Sequence, residues 1–121
     1  MRYLLLIYSQ ETTEPLTPEE TSAVRNAHWA VMEEATRRGV LRGVERLKPT
    51  ATATSVRIVN GLPTTIDGPF AETKEQLAGF YLVECDHLDE AIEWAKKIPT
   101  TCRGGTGCIE VRPIDTLPPI S

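Results

Sequence analysis

Moving protons near neutral pH falls most readily to an imidazole, and the chain of 121 residues carries two, His28 and His87. His28 lies in the series Val24, His28, Val31, Met32, Ala35, whose spacing draws one stripe along a helix. There it could serve as a general acid or base; the plainer alternative is a packed histidine with one satisfied hydrogen bond. Arg25, one turn earlier, could meet an anionic group on a small molecule or lie solvated along the helix. Asp67, in Asp67-Gly68-Pro69-Phe70, offers a carboxylate able to orient and polarise an imidazole. Its simpler role is to bond the backbone of its own turn. The candidate catalytic pair is His28 with Asp67, and the candidate binding residues are Arg25, Phe70 and Lys74.

Other chemistry-bearing residues read more plainly. His87 stands beside Asp86 at the start of a helical pattern, where capping and exposure are the default. Glu72, Lys74 and Glu75 form a polar stretch that reads as a solvated face. Trp29 and Trp94 fall off their apolar stripes, which predicts an interface residue or a partly exposed lid for each. Cys85, Cys102 and Cys108 are odd in number in a chain large enough to be stabilised by burial, so free thiols are expected. With His28 and His87 they make no closed zinc spacing. Gly104, Gly105 and Gly107 lack the strand before and helix after that a phosphate loop requires. Neither a metal nor a cofactor is expected.

These residues must be held by regular elements. Tyr3 to Tyr8 is a short β-forming run apolar on both alternation sets, predicting a strand buried on both faces. Thr17-Pro18-Glu19-Glu20 is a capping box with proline in the first turn, so a helix of roughly six turns begins there and ends before Gly39. Val40 to Leu47 reads as a strand and residues 50 to 54 as a connector. Ser55–Val59 and Leu62–Ile66 form a hairpin around Asn60-Gly61, which supplies the positive φ angles of a type I′ turn. Ala71 to Leu77 predicts one or two helical turns, and Gly79 to Cys85 a strand apolar on both sides. Leu88, Ala91, Ile92, Ala95 and Ile98 draw a second helix, stopped by Pro99, and Cys108 to Ile114 is the last strand. Residues 1–114 form one domain and 115–121 a loosely ordered tail.

Size and composition agree. A chain of 13.4 kDa with 40% hydrophobic and 25% charged residues is an ordinary globular domain. A net charge of −4 disfavours nucleic-acid partners. The N-terminal apolar run is too short for a signal peptide or a membrane span, so a cytoplasmic protein without membrane attachment is expected. The fold expected is α+β, an antiparallel sheet with two main helices on one face. Because two strands are apolar on both sides, a homodimer packed sheet to sheet is expected.

At Tyr3-Leu4-Leu5-Leu6-Ile7-Tyr8, Asp67-Gly68-Pro69-Phe70-Ala71-Glu72-Thr73-Lys74-Glu75, Gly79-Phe80-Tyr81-Leu82 and Glu110-Val111-Arg112-Pro113 the chain resembles YCII-related proteins of the DGPF-domain group. The resemblance covers nearly the whole chain and implies a ferredoxin-like, dimeric α+β barrel. Arg25-Asn26-Ala27-His28 is similar to the Arg-x-x-His helix segment whose histidine, with an aspartate, is regarded as a site in the YciI-like branch. The resemblance therefore implies a cofactor-independent His/Asp site for proton transfer, isomerisation or elimination on a small molecule. Some proteins of this group are encoded beside sigma factors, which implies the alternative: a non-catalytic dimeric ligand-sensing or protein-interaction module with a sigma factor as partner.

Overall fold

In chain order the elements are β1 (Arg2–Ser9), α1 (Pro18–Arg37), β2 (Leu41–Arg46), β3 (Thr54–Val59), β4 (Leu62–Asp67), β5 (Gln76–Glu84), α2 (Leu88–Ala95) and β6 (Gly107–Pro113). They belong to a computed structural model that describes residues 1–100 and 105–120. Cys102 and Gly104 fall outside the described residues.

Local chemistry sets the first helix. The Thr17 hydroxyl accepts from the Glu20 amide at 3.1 Å, and the Glu20 carboxylate accepts from the Thr17 amide at 2.9 Å. This reciprocal box satisfies two amides that the helix itself leaves without partners. At the hairpin, Asn60 at φ 52° and Gly61 at φ 79° both adopt the left-handed conformation that the tight turn demands.

Four strands form one antiparallel sheet in the order β2-β5-β1-β6, and β3 with β4 forms a separate two-stranded hairpin. Tyr3 pairs with Val83 and Leu5 with Tyr81 on one side of β1, while Leu5 faces Val111 on the other. Strands β1 and β2 are both antiparallel to β5 and so run the same way, which requires a crossover. Helix α1 is that crossover.

Both helices bury themselves in the same core. Tyr3, Leu5 and Ile7 of β1 and Tyr81 and Val83 of β5 meet Val31 and Ala35 of α1 and Ala91 and Trp94 of α2. The opposite face, with Leu4, Leu6, Phe80 and Leu82, is half-buried by its strand neighbours alone. A single chain thus covers one of the two apolar faces.

Two expectations are corrected. Ala71–Leu77 forms no helix: the chain is irregular to Glu75, and β5 begins at Gln76. The Thr73 hydroxyl donates to the Glu75 carbonyl at 2.6 Å and the Gln76 side chain donates to the Thr73 carbonyl. Such local bonds give the backbone an alternative to helical pairing. Trp94 is neither an interface residue nor a partly exposed lid but part of the core of its own chain, being 3% exposed. Helix α2 ends at Ala95, and its buried side runs through Ala91 and Trp94, with Leu88 left exposed. The Trp94 ring is closed off by Arg38 at 5.2 Å and Lys97 at 4.5 Å, two cations over its π face. Trp29, by contrast, is exposed.

Gly79 is needed where β2 and β5 meet. A Cβ there would lie 2.5 Å from the Glu45 carbonyl oxygen, closer than any ordinary contact. Gly79→Ala must push the two strands apart, at a cost of about 1–3 kcal/mol. We expect its melting temperature to fall by roughly 4–12 °C; calorimetry checks this, and an unchanged transition would contradict it.

Candidate functional site

Burial along the α1 stripe falls toward its N-terminal end: Ala35 and Val31 are buried, His28 and Val24 only half so. In that stretch helix and sheet bound a cavity of about 600 Å³. Val24, Arg25, His28 and Met32 of α1 line it, together with Val44 and Arg46 of β2, Tyr81 of β5 and Ile7 of β1. The β1–α1 connection supplies Leu16 and Thr21 supplies part of the helix side.

His28 Nδ1 lies 2.9 Å from the Tyr81 hydroxyl, with the two rings tilted 33° to each other. Strand alternation turns Tyr81 toward the helices, and the helical period brings His28 over it. Burial pushes the Tyr81 phenol up to about 12, so it keeps its proton at physiological pH. The hydroxyl can donate to Nδ1, leaving Nε2 protonated as a donor. It can equally accept from Nδ1–H, leaving a lone pair on Nε2 as a base.

Burial lowers the His28 pKa below its ordinary value, and the Arg46 guanidinium lowers it further. The imidazole is therefore neutral at pH 7. Among the described residues no carboxylate pairs with Arg46 or Arg25 within ion-pair distance; Arg25 reaches only the Ser22 hydroxyl, at 3.5 Å. Lys48 adds a third cation to the lining. Two unpaired guanidiniums beside a neutral imidazole and an apolar wall suit a small molecule with an anionic group and an apolar body.

A polar strap runs along the rim. The Glu11 carboxylate accepts from the Thr50 amide at 2.8 Å and from its hydroxyl at 3.0 Å, holding the single 3₁₀ turn Thr50–Thr52. The Glu11 amide in turn donates to Gln76 Oε1 at 3.0 Å. Both Glu11 and Gln76 line the cavity.

Of the residues singled out in the sequence, the structure brings together His28 and Arg25. Asp67 ends β4, is exposed, and is not among the lining residues of its own chain's cavity. Phe70, 78% exposed, and the exposed Lys74 likewise lie outside that lining. The Gly68 and Phe70 carbonyls are held instead by the Ser55 hydroxyl at 2.7 Å and the Arg57 guanidinium at 2.8 Å. Tyr81 and Arg46 were missed, although alternation carried a signal for both. Tyr81 shares a side of its strand with Val83, and Arg46 shares one with Val44, so a phenol and a cation stand on the core-facing side.

Residues 1–117 match the YCII-related domain family. The chain is also 41% identical over 120 residues to an uncharacterized protein from Rhizobium meliloti (strain 1021), an alignment covering 98% of this chain and 96% of that one. With a family match over almost its whole length and a relative of that identity, the chain belongs to the family of YCII-related domain proteins.

Proposed function

We propose that the protein binds a small anionic organic molecule in the cavity beneath α1 and exchanges a proton with it through His28, in a cofactor-independent isomerisation or elimination. The observation that carries this reading is the His28–Tyr81 hydrogen bond of 2.9 Å inside a cavity whose lining holds Arg25 and Arg46, with which no carboxylate pairs among the described residues. Tyr81 fixes the orientation of the ring, as second partners of catalytic imidazoles do. His28 is the acid or base. Arg46 and Arg25 hold the anionic group, and Ile7, Val24, Met32 and Val44 take the apolar body. Tyr81 thereby fills the orienting role first considered for Asp67, which serves in the exit turn of the hairpin.

The scaffold we propose is the ferredoxin-like arrangement, two copies of which close sheet to sheet into an α+β barrel in the cytoplasm. Supporting it are the strand order β2-β5-β1-β6 with its α1 crossover and the uncovered apolar face. No helix among the described residues is long and apolar enough to cross a membrane.

Three outcomes are expected. His28→Gln should lower turnover of a substrate found by screening carboxylates and phenols by roughly 100-fold or more while the protein still folds, its stability reduced by at most the about 1–3 kcal/mol that an unpaired Tyr81 hydroxyl costs. Full activity in this variant would remove His28 from its role. Benzoate, as a simple apolar anion, should shift the amide resonances of cavity residues, and Arg46→Gln should weaken its binding roughly tenfold. Equal affinity in both proteins would contradict the anion-binding assignment. Finally, His28 should titrate below its ordinary value in an NMR pH series, and Arg46→Gln should raise that midpoint. Between the two values the unfolded chain binds more protons than the folded one, so stability rises with pH and is lost as the solution is acidified below the ordinary value. A flat stability profile from pH 7 down to 5 would contradict the lowered value.

A further inference from the structure

The cations that line the cavity beneath α1 fall into an inner and an outer group. In register, Val44 of β2 faces Tyr81 of β5, and Arg46 faces Gly79 one row further along. Ile7 of β1 pairs with Gly79 on its other side. Val44 and Arg46 share a face by alternation, as do Tyr81 and Gly79. Arg46 thus stands one row from the tyrosine that holds His28, and the position between Arg46 and Ile7 has no side chain to fill it. The outer group follows from the crossover. Because β1 and β2 run the same way, α1 runs back between them, and the start of the helix lies at the same end of the sheet as the end of β2. Arg25 stands one turn before His28, roughly 4.5 Å nearer that end along the helix axis, and its guanidinium bonds Ser22 further still toward it. Lys48 follows Arg46 by two residues, roughly 7 Å along a chain that Pro49 keeps extended.

We propose that the ligand of this cavity is a dianion with two separated anionic groups, one at Arg46 beside His28 and the other roughly 7 Å outward at Arg25 and Lys48, its apolar body lying over Gly79. The proposal rests on the anion-binding reading above and divides its two arginines between two groups of one molecule. The carboxylates of the lining leave both positions open. Glu45 alternates with Val44 and Arg46, so its side chain belongs to the opposite face of β2. Glu11 accepts from the Thr50 amide at 2.8 Å with one oxygen and from the Thr50 hydroxyl at 3.0 Å with the other, and it forms no ion pair among the described residues. Three cations therefore share the cavity with one carboxylate that neutral donors already engage, while His28 stays uncharged. A ligand with a single anionic group leaves the outer two cations without a counter-charge. A dicarboxylate whose two ends are held apart by a ring or a short rigid chain meets both positions at once, and one whose carboxylates are adjacent meets only one of them.

The test is an NMR titration of the wild-type protein at low salt with benzoate, terephthalate and phthalate, which offer one carboxylate, two at opposite ends of a ring, and two side by side. The same titrations are run on Arg46→Gln and on the double variant Arg25→Gln/Lys48→Gln. Arg25 and Lys48 are exposed, so the double variant keeps its far-UV circular dichroism. The expected result is terephthalate bound roughly tenfold or more tightly than either benzoate or phthalate, an advantage that shrinks as salt is added. In the double variant that advantage falls to about twofold or less with benzoate affinity nearly unchanged, whereas Arg46→Gln weakens both ligands. Terephthalate no tighter than benzoate, with benzoate binding still dependent on Arg46, would overturn the second anion position and leave the proposed function standing. Phthalate as tight as terephthalate would mean that charge alone counts, and would overturn the spacing. A terephthalate advantage that survives in the double variant would remove Arg25 and Lys48 from their role. Binding of none of the three would overturn the anion-binding reading and the dianion with it.

Discussion

A phenol hydroxyl buried beneath a helix has to be hydrogen-bonded, because an unpaired buried polar group costs on the order of 1–3 kcal/mol. Tyr81 is 2% exposed, and its hydroxyl meets His28. That pairing couples two independent registers: the alternation of β5, which turns Tyr81 to the helix side, and the phase of α1, which brings His28 above it. Shifting the strand by one residue would place Phe80 or Leu82 under the helix and leave the imidazole without its partner. The same bond holds a titratable ring at the edge of the core, where burial and Arg46 keep it neutral. Neutrality makes the ring useful: a neutral imidazole at pH 7 has a ring nitrogen free to accept a proton as a general base.

The charge distribution around it runs against the chain as a whole. The net charge is −4, yet the cavity gathers Arg25, Arg46 and Lys48. Arg38, Arg42, Lys96 and Lys97 elsewhere are paired with carboxylates, at 3.6, 3.1, 3.0 and 2.9 Å. In the lining these three cations stand against Glu11 and Glu45, and among the described residues none of the three is in an ion pair, which leaves net positive potential in a concave, partly apolar site.

Much of this architecture was legible in the sequence wherever the determinants are local. The capping box at Thr17 and the Asn60-Gly61 turn depend on neighbours within a few residues, and each appears as read, whereas β1 and β5 are buried on one face and only half-buried on the other. Side-chain competition escaped that reading. Ala71–Leu77 is composed of helix formers, but Thr73 and Gln76 offer the backbone other bonds. A stripe drawn through Leu88 and Ile92 leaves Trp94 off the apolar side, as an interface residue or a partly exposed lid, because it differs by a partial turn from the side the core selects. Of the site, the histidine and arginine on α1 were evident from one helical period. Tyr81 is 53 residues from His28, and no spacing rule relates a helix to a strand so far along the chain.

Cavity and hairpin are also joined by the chain itself. The segments that carry the hairpin out and back, Leu47 to Pro49 and Gln76 to Leu77, are walls of the cavity. Glu11 straps them together, its carboxylate accepting from Thr50 on one side and its amide donating to Gln76 Oε1 on the other. A hairpin free in water would transmit its motion to those walls through two short connections. Any surface that holds the hairpin still therefore also fixes the rim of the cavity, and the fixed rim keeps the two guanidiniums and the imidazole at one spacing. The exposed apolar hairpin is thus tied to the half-buried histidine through the chain segments that wall the cavity.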